Sequence, residues 1–532
     1  MKKFLLTAVV VLSALSANAQ TWTTPATWQK TITPVDSVAD LGSVHTLVLN
    51  DASVIVTGTY DKTFTIGNTS LTNEDKMVRA FVAKFDTNGN LSWLKALDGS
   101  AQVDDVTADS EGNVYITGNF AGELALDDNT TLKGQTSYGE YTEDYAAAFV
   151  VKYDKDGNVV ASHTFVPTTP ASSTAYSDYF AMSSYYFNPS KIKYYNGRVY
   201  ISAMYMGDVV EDSKTLWPGC VIEMADWGMS MDVERTGGVL SLDANLENAK
   251  SEVLYRCDLN PSAIGGARNI SFDVDNNGVY AVAQGAGTFY AIAGNDTTKV
   301  ELQTTSDDTG NYEHAFVATN VAGKLTKAYH VDMNAEEYGT DIVSNVVASN
   351  GSLYVGGTYY NQLGFDKTLA SKGSADMFVA KINASTLESE WAVNDSYDEG
   401  DVTKYEEHLY AMDVKGDTVF ISGVARDKAT MATQKVLNYN VINGKLSASS
   451  DATEYSSVNS NDNGFTATAN TSKTNISLNV YGPSKTTGIA GVNTAAKQVN
   501  SSVYSLSGVN MGKNLGSLPK GIYVINGKKI LK

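Results

Sequence analysis

The stretch Val103-Asp-Asp-Val-Thr-Ala-Asp-Ser-Glu-Gly-Asn-Val-Tyr-Ile-Thr-Gly118 returns, altered, as Asp341-Ile-Val-Ser-Asn-Val-Val-Ala-Ser-Asn-Gly-Ser-Leu-Tyr-Val-Gly-Gly357. Each copy is a small or apolar strand, a bend carrying Gly, and an aromatic or β-branched strand that ends near Gly. Such alternation across an Asn-Gly or Asp-Gly bend signals a β-hairpin, because these residues tolerate positive φ. Five more copies centre on residues 46–58, 192–203, 270–283, 410–423 and 465–480. A second hairpin type, Phe81-Val-Ala-Lys-Phe-Asp-Thr-Asn-Gly-Asn-Leu-Ser-Trp-Leu-Lys95, alternates with the first. It recurs at 149–163, 316–329 and 377–391, and more faintly at 239–254 and 436–447.

A repeated unit of this size cannot bury its own faces and must stack on its neighbours. Two hairpins give four antiparallel strands, which is one blade of a β-propeller. The expected fold is therefore all-β: a seven-bladed β-propeller, with six blades as the alternative because no good copy of the last blade's third strand stands out. The repeats are spaced by roughly 55 to 85 residues, wider than compact propeller repeats, so the excess is loop insertion. Thr27-Trp-Gln-Lys-Thr-Ile-Thr33 resembles the strands around Trp93 and Trp391 yet precedes the first blade. It is the candidate for completing the last blade and closing the ring. Trp28, Trp93 and Trp391 share one slot of the repeat and read as packing residues.

Composition agrees. The 532 residues include 44 Gly, 31 Tyr and only 9 Pro, with 18% charged residues. Short strands joined by tight turns suit that mixture. The formal charge is −20. Setting aside two leader lysines and the seven lysines of Gly482–Lys532, a segment without a carboxylate side chain, leaves −29 for residues 20–481. An acidic body lacks the basic face that nucleic acid requires. The change of sign marks a module boundary near residue 485. The expected organisation is a signal peptide over 1–19, a propeller over 20–485 and a small β module over 486–532. Residues 1–19 carry two lysines, an apolar run too short to span a bilayer, and Ala17-Asn-Ala19 at the cleavage position. No later stretch is apolar enough to cross a membrane. Cys220 and Cys257, the only cysteines, are read either as a disulfide or as two buried thiols.

Taken together, Phe-Val-Ala-Lys-Phe-Asp…Asn-Gly-Asn-Leu-Ser-Trp and Glu-Gly-Asn-Val-Tyr-Ile-Thr-Gly-Asn-Phe resemble the bacterial β-propeller repeat family of secreted and surface proteins. That resemblance implies a fold and no activity. Val503-Tyr-Ser-Leu-Ser-Gly508 and Leu518-Pro-Lys-Gly-Ile-Tyr-Val-Ile-Asn-Gly-Lys-Lys-Ile-Leu-Lys532 resemble the C-terminal sorting domain of type IX secretion in Bacteroidetes. This second resemblance implies the type IX secretion machinery as partner and an outer-surface or extracellular destination, with the periplasm as alternative.

Chemistry-bearing motifs are sparse. Asp273-Val-Asp-Asn-Asn-Gly278 matches half a calcium loop and then fails, with Gln284 where the bidentate Glu belongs. It reads first as a turn, as does Asp154-Lys-Asp-Gly-Asn158. The histidines His45, His163, His314, His330 and His408 show no zinc-like spacing. No nucleophile elbow, phosphate loop or dinucleotide fingerprint is present, so neither metal nor cofactor is expected. Nothing singles out a pair of carboxylates for glycoside hydrolysis. The longest insertions, 127–145, 166–189, 211–236, 285–312 and 394–407, all join second to third or fourth to first strands, which places them on one rim. Binding sites favour such loops on a rigid scaffold. Aromatic side chains there nominate Tyr141, Tyr179, Tyr185, Tyr186, Trp217, Trp227 and Tyr397 as ligand-binding residues. Loops that merely pack on one another are the competing reading. The function expected is non-enzymatic binding of carbohydrate or protein. A secreted polysaccharide-degrading enzyme and a structural surface protein are the alternatives.

Overall fold

A computed structural model describes residues 28–34, 44–66, 68–74, 77–138, 141–144, 147–168, 186–219, 221–224, 229–232, 236–258, 266–286, 288–302, 314–332, 345–360, 362–365, 367–371, 375–395, 397, 404–448, 454–461, 463–472, 475–482, 502–506, 508–513, 515–525 and 528–532. The chain divides into two compact units, Met1–Tyr481 and Gly482–Lys532. The first is a β-propeller.

Seven antiparallel ladders of four strands can be followed among the described residues. The first runs His45–Val48, Val54–Tyr60, Arg79–Phe85 and the opening half of Leu91–Ala108. That long strand continues as the inner strand of the second ladder, beside Val114–Ala125, Ala147–Tyr153 and Val159–Phe165. The third holds Tyr186–Tyr195, Arg198–Met206, Thr236–Asp243 and Lys250–Asp258. The fourth holds Gly266–Asp275, Gly278–Ala286, His314–Asn320 and Leu325–Asp332. Asn345–Ser349, Ser352–Tyr359, Asp376–Asn383 and Ser389–Asn394 form the fifth. Tyr405–Lys415, Thr418–Asp427, Thr433–Ile442 and Lys445–Ala448 form the sixth. The seventh joins Ser457–Ser460, Thr466–Ser472 and Asn475–Tyr481 to Trp28–Pro34 from the other end of the chain.

The last ladder corrects the sequence reading. Residues 465–480 supply the second and third strands, where an inner hairpin was expected. The inner strand, Ser457-Val-Asn-Ser460, lacks an apolar pattern because two of its polar side chains bond the first ladder: Ser457 Oγ accepts from Thr46 N at 3.0 Å and Asn459 Oδ1 from Val48 N at 2.9 Å.

Each inner strand lies beside the inner strand of the next ladder, and the seventh lies beside the first. The hydrophobic core is correspondingly a series of seams. Ile55, Val82, Val103, Ile116 and Phe149 pack ladder one on two, and Phe316, Val355 and Phe378 pack four on five. Among the described residues the seam of six with seven is the leanest, built on Phe420, Tyr455 and Tyr481 with Val458 against them.

The shared Trp slot explains part of this stacking. Trp28, Trp93 and Trp391 each lie over the Gly of the next ladder's last turn. A Cβ built on Gly89, Gly157 or Gly444 would stand 2.9, 2.8 or 3.2 Å from the respective indole. These glycines also need φ of +79°, +85° and +70°, a region that L side chains avoid. In the turns before Gly89 and Gly157, Asp86 and Asp154 clamp the bend: Oδ1 of Asp154 accepts from Asp156 N at 2.9 Å and Asn158 N at 2.8 Å. The Asp-rich bend is a turn device.

Three outer edges are covered by the next ladder's second-to-third connection. Phe64–Ile66 and Thr69–Leu71 extend the seventh ladder along Trp28–Pro34. Thr288–Ala293 and Asp296–Glu301 extend the third along Lys250–Asp258. Gln362–Gly364 and Thr368–Ala370 extend the fourth along Leu325–Asp332. The inserted segments thereby supply partners to edge strands that would otherwise expose unpaired N–H and C=O groups.

Within Gly482–Lys532, Val503–Ser505, Ile522–Ile525 and Lys528–Leu531 form a three-stranded antiparallel sheet over Val503, Leu515, Tyr523 and Ile525.

Gly157→Ala tests the indole-on-turn contact. It adds a Cβ against Trp93 at a positive φ, so denaturant unfolding should show a loss of about 1–3 kcal/mol. Gly197→Ala, with φ +80° and open space around it, should cost less. Equal losses would show that the indole contact contributes nothing beyond backbone strain.

Candidate functional site

Two polar regions stand out in the propeller. One is the ring of inner strands. Successive side chains of a strand alternate in direction, and the inner strands present theirs in two recurring layers. Pairing with the second strands aligns His45, Asp105, Lys191, Ser271, Asn345, Ala411 and Ser457 in one layer. The other, two residues on, aligns Leu47, Thr107, Lys193, Asp273, Val347, Asp413 and Asn459.

These side chains reach the next ladder's backbone. Asp105 Oδ2 accepts from Ile192 N at 2.9 Å, and Thr107 Oγ1 from Tyr194 N at 3.0 Å. Asp273 Oδ2 accepts from Ala348 N at 2.7 Å while its Oδ1 takes the Lys193 ammonium. Lys191 Nζ reaches past the fourth ladder and donates to Val346 O of the fifth at 2.6 Å. The half calcium loop is thereby accounted for, since Asp273 is turned to the neighbouring ladder and Asp275 caps its own turn through Asn277 N at 2.7 Å. Burial lowers both His45 and Lys191 from their ordinary values, against the pull of nearby carboxylates. Asp104, on the bulge between Val103 and Asp105, is pushed up to about 7 by burial. Asp413 is pushed up to about 6, also by burial.

The second region lies on the long-loop rim between ladders five and six. Glu407, at the start of an inner strand, is 2% exposed and Asp376 is 1% exposed. Glu407 Oε2 accepts from Met377 N at 3.0 Å, and its Oε1 accepts from Tyr397 N. Burial, then the nearby Asp376 and Asp395 carboxylates, push Glu407 up to about 9 against those two N–H donors. Asn394 Nδ2 donates to Asp376 Oδ2 at 3.1 Å and to the Tyr359 hydroxyl at 2.9 Å. The Tyr439 hydroxyl donates to Asp395. Above the acids, Tyr397 and Tyr405 meet edge to face with centroids 5.2 Å apart. Lys435 and Lys404 stand over their rings at 5.1 and 5.3 Å. Each ammonium over its ring makes a favourable cation–π contact.

Of the residues nominated from sequence, Tyr397 belongs to this cluster, where it is 8% exposed. Its backbone N–H, as well as its ring, is part of the site. Trp217 is a correction. It is fully buried, its Nε1 donates to Ser251 Oγ at 2.8 Å, and it stacks on Tyr205 and Phe187 with centroids 5.2 and 6.0 Å away. It sits on the hairpin Val209–Glu211 and Lys214–Trp217. That hairpin is tied to the preceding ladder by the Thr168–Asp208 bridge and by His163 Nε2 against Glu211 Oε1 at 3.2 Å. An insertion that covers a neighbour turns its largest side chain inward. Tyr186 is half-buried at the start of Tyr186–Tyr195. Tyr141 opens a hairpin strand pairing with Tyr138, and its side chain lies outside the described residues. So do Tyr179, Tyr185 and Trp227, as well as the side chains of Cys220 and Cys257.

Sequence reasoning missed Glu407 and Asp376. The available signal was a carboxylate inside an otherwise apolar strand pattern, as in Ala-Asp-Met-Phe-Val-Ala-Lys at 375–381. Among the described residues no group of three His, Cys, Asp or Glu side chains is placed to hold a metal ion.

No family model and no curated protein matches this chain. Among solved structures it is similar to the Dos1 propeller, at 7% identity, covering 86% of this chain and 95% of that one, with a TM-score of 0.38. It is also similar to a protein of unknown function from Dyadobacter fermentans, at 10% identity, 78% and 98% coverage and a TM-score of 0.38. A third is the phage phi92 endosialidase, at 9% identity, 93% and 75% coverage and a TM-score of 0.33. At these identities and scores the fold assignment rests on the ladders themselves.

Glu407 gives the site a pH signature. A carboxyl whose folded pKa is raised keeps a proton that the unfolded chain releases, so stability falls as pH rises from about 4.5 to about 9. Asp104 and Asp413 act in the same direction over narrower windows ending near 7 and 6. These three groups should therefore lower the thermal midpoint between pH 5 and pH 9, against the opposite pull of His45 and Lys191. Glu407→Gln should make that decline shallower. A parallel decline in the variant would show that Glu407 is ionised in the folded state.

Proposed function

We propose that this chain is an exported β-propeller protein whose seven ladders act as the blades of a rigid ring, and that it binds carbohydrate or protein, without catalysis, through the aromatic loops of its long-loop rim. The observation that carries the reading is the engagement of the inner-strand side chains. Asp105, Thr107, Asp273, Ser457 and Asn459 all bond the backbone of the adjacent ladder. Groups tied up in this way hold the ring closed, which leaves recognition to the rim. Large amphipathic Tyr and Trp side chains on a rigid scaffold suit sugar stacking or peptide capture.

The enzyme reading has one specific attraction, the raised Glu407 among Asp376 and Asp395, which resembles a general acid in its charge state. Both Glu407 oxygens, however, accept backbone N–H groups. A proton donor to a glycosidic oxygen needs a free face, so the cluster fits a structural role in holding residue 397 to the sixth ladder.

The C-terminal unit fits export. It is a separate compact sheet rich in lysine, and its resemblance to type IX sorting domains makes that secretion machinery the partner we propose for it. The destination follows as the outer surface or the extracellular medium, with the periplasm as alternative. Among the described residues no helix is long and apolar enough to cross a membrane.

The full chain should be retained by at least one member of a broad polysaccharide and protein panel, with no new reducing ends. Combined replacement of Tyr185, Tyr186 and Trp227 by Ala should abolish retention and leave the melting temperature unchanged. New reducing ends that vanish in Glu407→Gln would establish the enzyme reading. Undiminished retention in the triple variant would remove the rim assignment.

A further inference from the structure

Exposed apolar side chains are distributed unevenly. Among the described residues the large ones are Met77, Val78, Val160, Val210, Leu325 and Met431 in the propeller, scattered over five ladders or their connections, and Tyr504, Leu506, Val509, Met511, Ile522 and Leu531 in the C-terminal unit. Half of them thus fall in a segment of 51 residues. Scattered exposed apolar residues are ordinary, whereas a concentration on one small sheet marks a surface made to meet something.

The register places part of this set on one face. Val503, Ser505, Tyr523, Ile525 and Ile530 share the side that holds the core. The opposite side carries Tyr504, Ile522, Val524, Leu531 and Lys529, with Tyr504, Ile522 and Leu531 exposed by 39, 36 and 43%. A tight turn leads off this sheet, closed by Ser505 N to Val509 O at 2.8 Å and Gly508 N to Ser505 O at 3.0 Å. Its Leu506 and Val509 are 60 and 58% exposed, the most protruding apolar side chains of the described C-terminal unit. Lys513, Lys520 and Lys529 are exposed on the same unit, and no acidic side chain occurs from Gly482 to Lys532.

We propose that this face binds an anionic lipid surface, with Leu506 and Val509 entering the headgroup boundary and the lysines held at the phosphates. Charge decides between a lipid surface and an apolar protein groove. A groove matched to Tyr504, Ile522 and Leu531 would not call for seven lysines without one carboxylate side chain in the segment, whereas exposed apolar residues on a segment rich in lysine are the composition of a peripheral anchor. At physiological ionic strength like charges more than about 8 Å apart are largely screened, which limits repulsion between an acidic chain and an anionic lipid. The proposal does not depend on the route of export or on the rim's ligand. It concerns the C-terminal unit as part of the intact chain.

Co-sedimentation of the full chain with vesicles tests it. At physiological ionic strength the chain should pellet with phosphatidylcholine vesicles containing phosphatidylglycerol and stay in solution with phosphatidylcholine alone. Each surface lysine contributes about fivefold to such binding, so combined Lys513→Glu, Lys520→Glu and Lys529→Glu should weaken it by about a hundredfold or more. Leu506→Asn with Val509→Asn should weaken it at least tenfold. Both sets of changes are at exposed positions, and an unaltered melting profile will confirm folding. Absence of pelleting with anionic vesicles would overturn the proposal and point to the face being covered by protein. Equal binding to neutral vesicles, or binding indifferent to the lysine reversals, would overturn the charge argument on which it stands.

Discussion

A four-stranded ladder leaves two rows of backbone N–H and C=O groups without partners, one on its innermost strand and one on its outermost. Most of the architecture follows from how this chain treats those rows. At the inner edge, short polar side chains of one ladder accept from backbone N–H groups of the next. Asp105 and Thr107 do this for Ile192 and Tyr194, and Ser457 and Asn459 repeat the geometry, two residues apart, for Thr46 and Val48. At the outer edge, hairpins from the following ladder add strands, as Thr288–Ala293 does along Lys250–Asp258. In the third, fourth and seventh ladders inner-edge side chains and outer-edge hairpins point the same way round the ring, so each of these depends on its successor. The pairing of Trp28–Pro34 with Asn475–Tyr481 gives the last ladder its fourth strand.

This dependence explains what could be read from the sequence. The Trp and Gly slots are visible because a single physical need repeats: an indole of one ladder must lie flat on a turn that has no side chain. Trp93 over Gly157 and Trp391 over Gly444 are two instances. The inner strand of the seventh ladder could not be read the same way. Ser457–Ser460 belongs to the core ring, yet its residues are chosen for hydrogen bonding to residues some 410 positions away, and a hydrophobic pattern search passes over it. The candidate site was legible at Tyr397 alone, from loop position. Glu407 and Asp376 come from different ladders, and nothing local in either strand announces the other. Trp217 misled for the complementary reason: a large aromatic in an insertion looks like a contact residue until the insertion is seen to cover a neighbouring ladder.

Carboxylates have two opposite uses in the propeller. On the turns, Asp86 and Asp243 lie below the usual range, held there first by the side chains of Asn90 and Asn248 and further by backbone N–H groups. They fasten the bends as ions. Within the ring, Asp104, Asp413 and Glu407 are raised by burial, and protonation eases their presence in a low-dielectric setting. A body with a formal charge near −29 repels itself, and keeping some of its carboxyls neutral reduces that repulsion where the ladders converge.

The seams differ in what holds them, and the difference locates the ring's least supported joint. Most neighbouring ladders share a broad apolar interface, such as Phe165, Phe187, Val199, Ile201 and Trp217 between the second and third. Each such side chain contributes about 1.5–3 kcal/mol when fully buried. Between the sixth and seventh the described apolar contact reduces to Phe420, Tyr455 and Tyr481 with Val458. Polar contacts take up part of the work there: Lys415 Nζ donates to Gly464 O at 3.0 Å, and Tyr455 N to Ser422 Oγ at 3.3 Å. Ser460 bonds the Asp413 carboxyl. A hydrogen bond within a protein contributes only about 0.5–1.5 kcal/mol net, so this polar set does not replace a missing layer of aromatics. The same seam adjoins the ladder that borrows Trp28–Pro34. The strand pairing of the two chain ends and the leanest described apolar seam therefore meet at the seventh ladder.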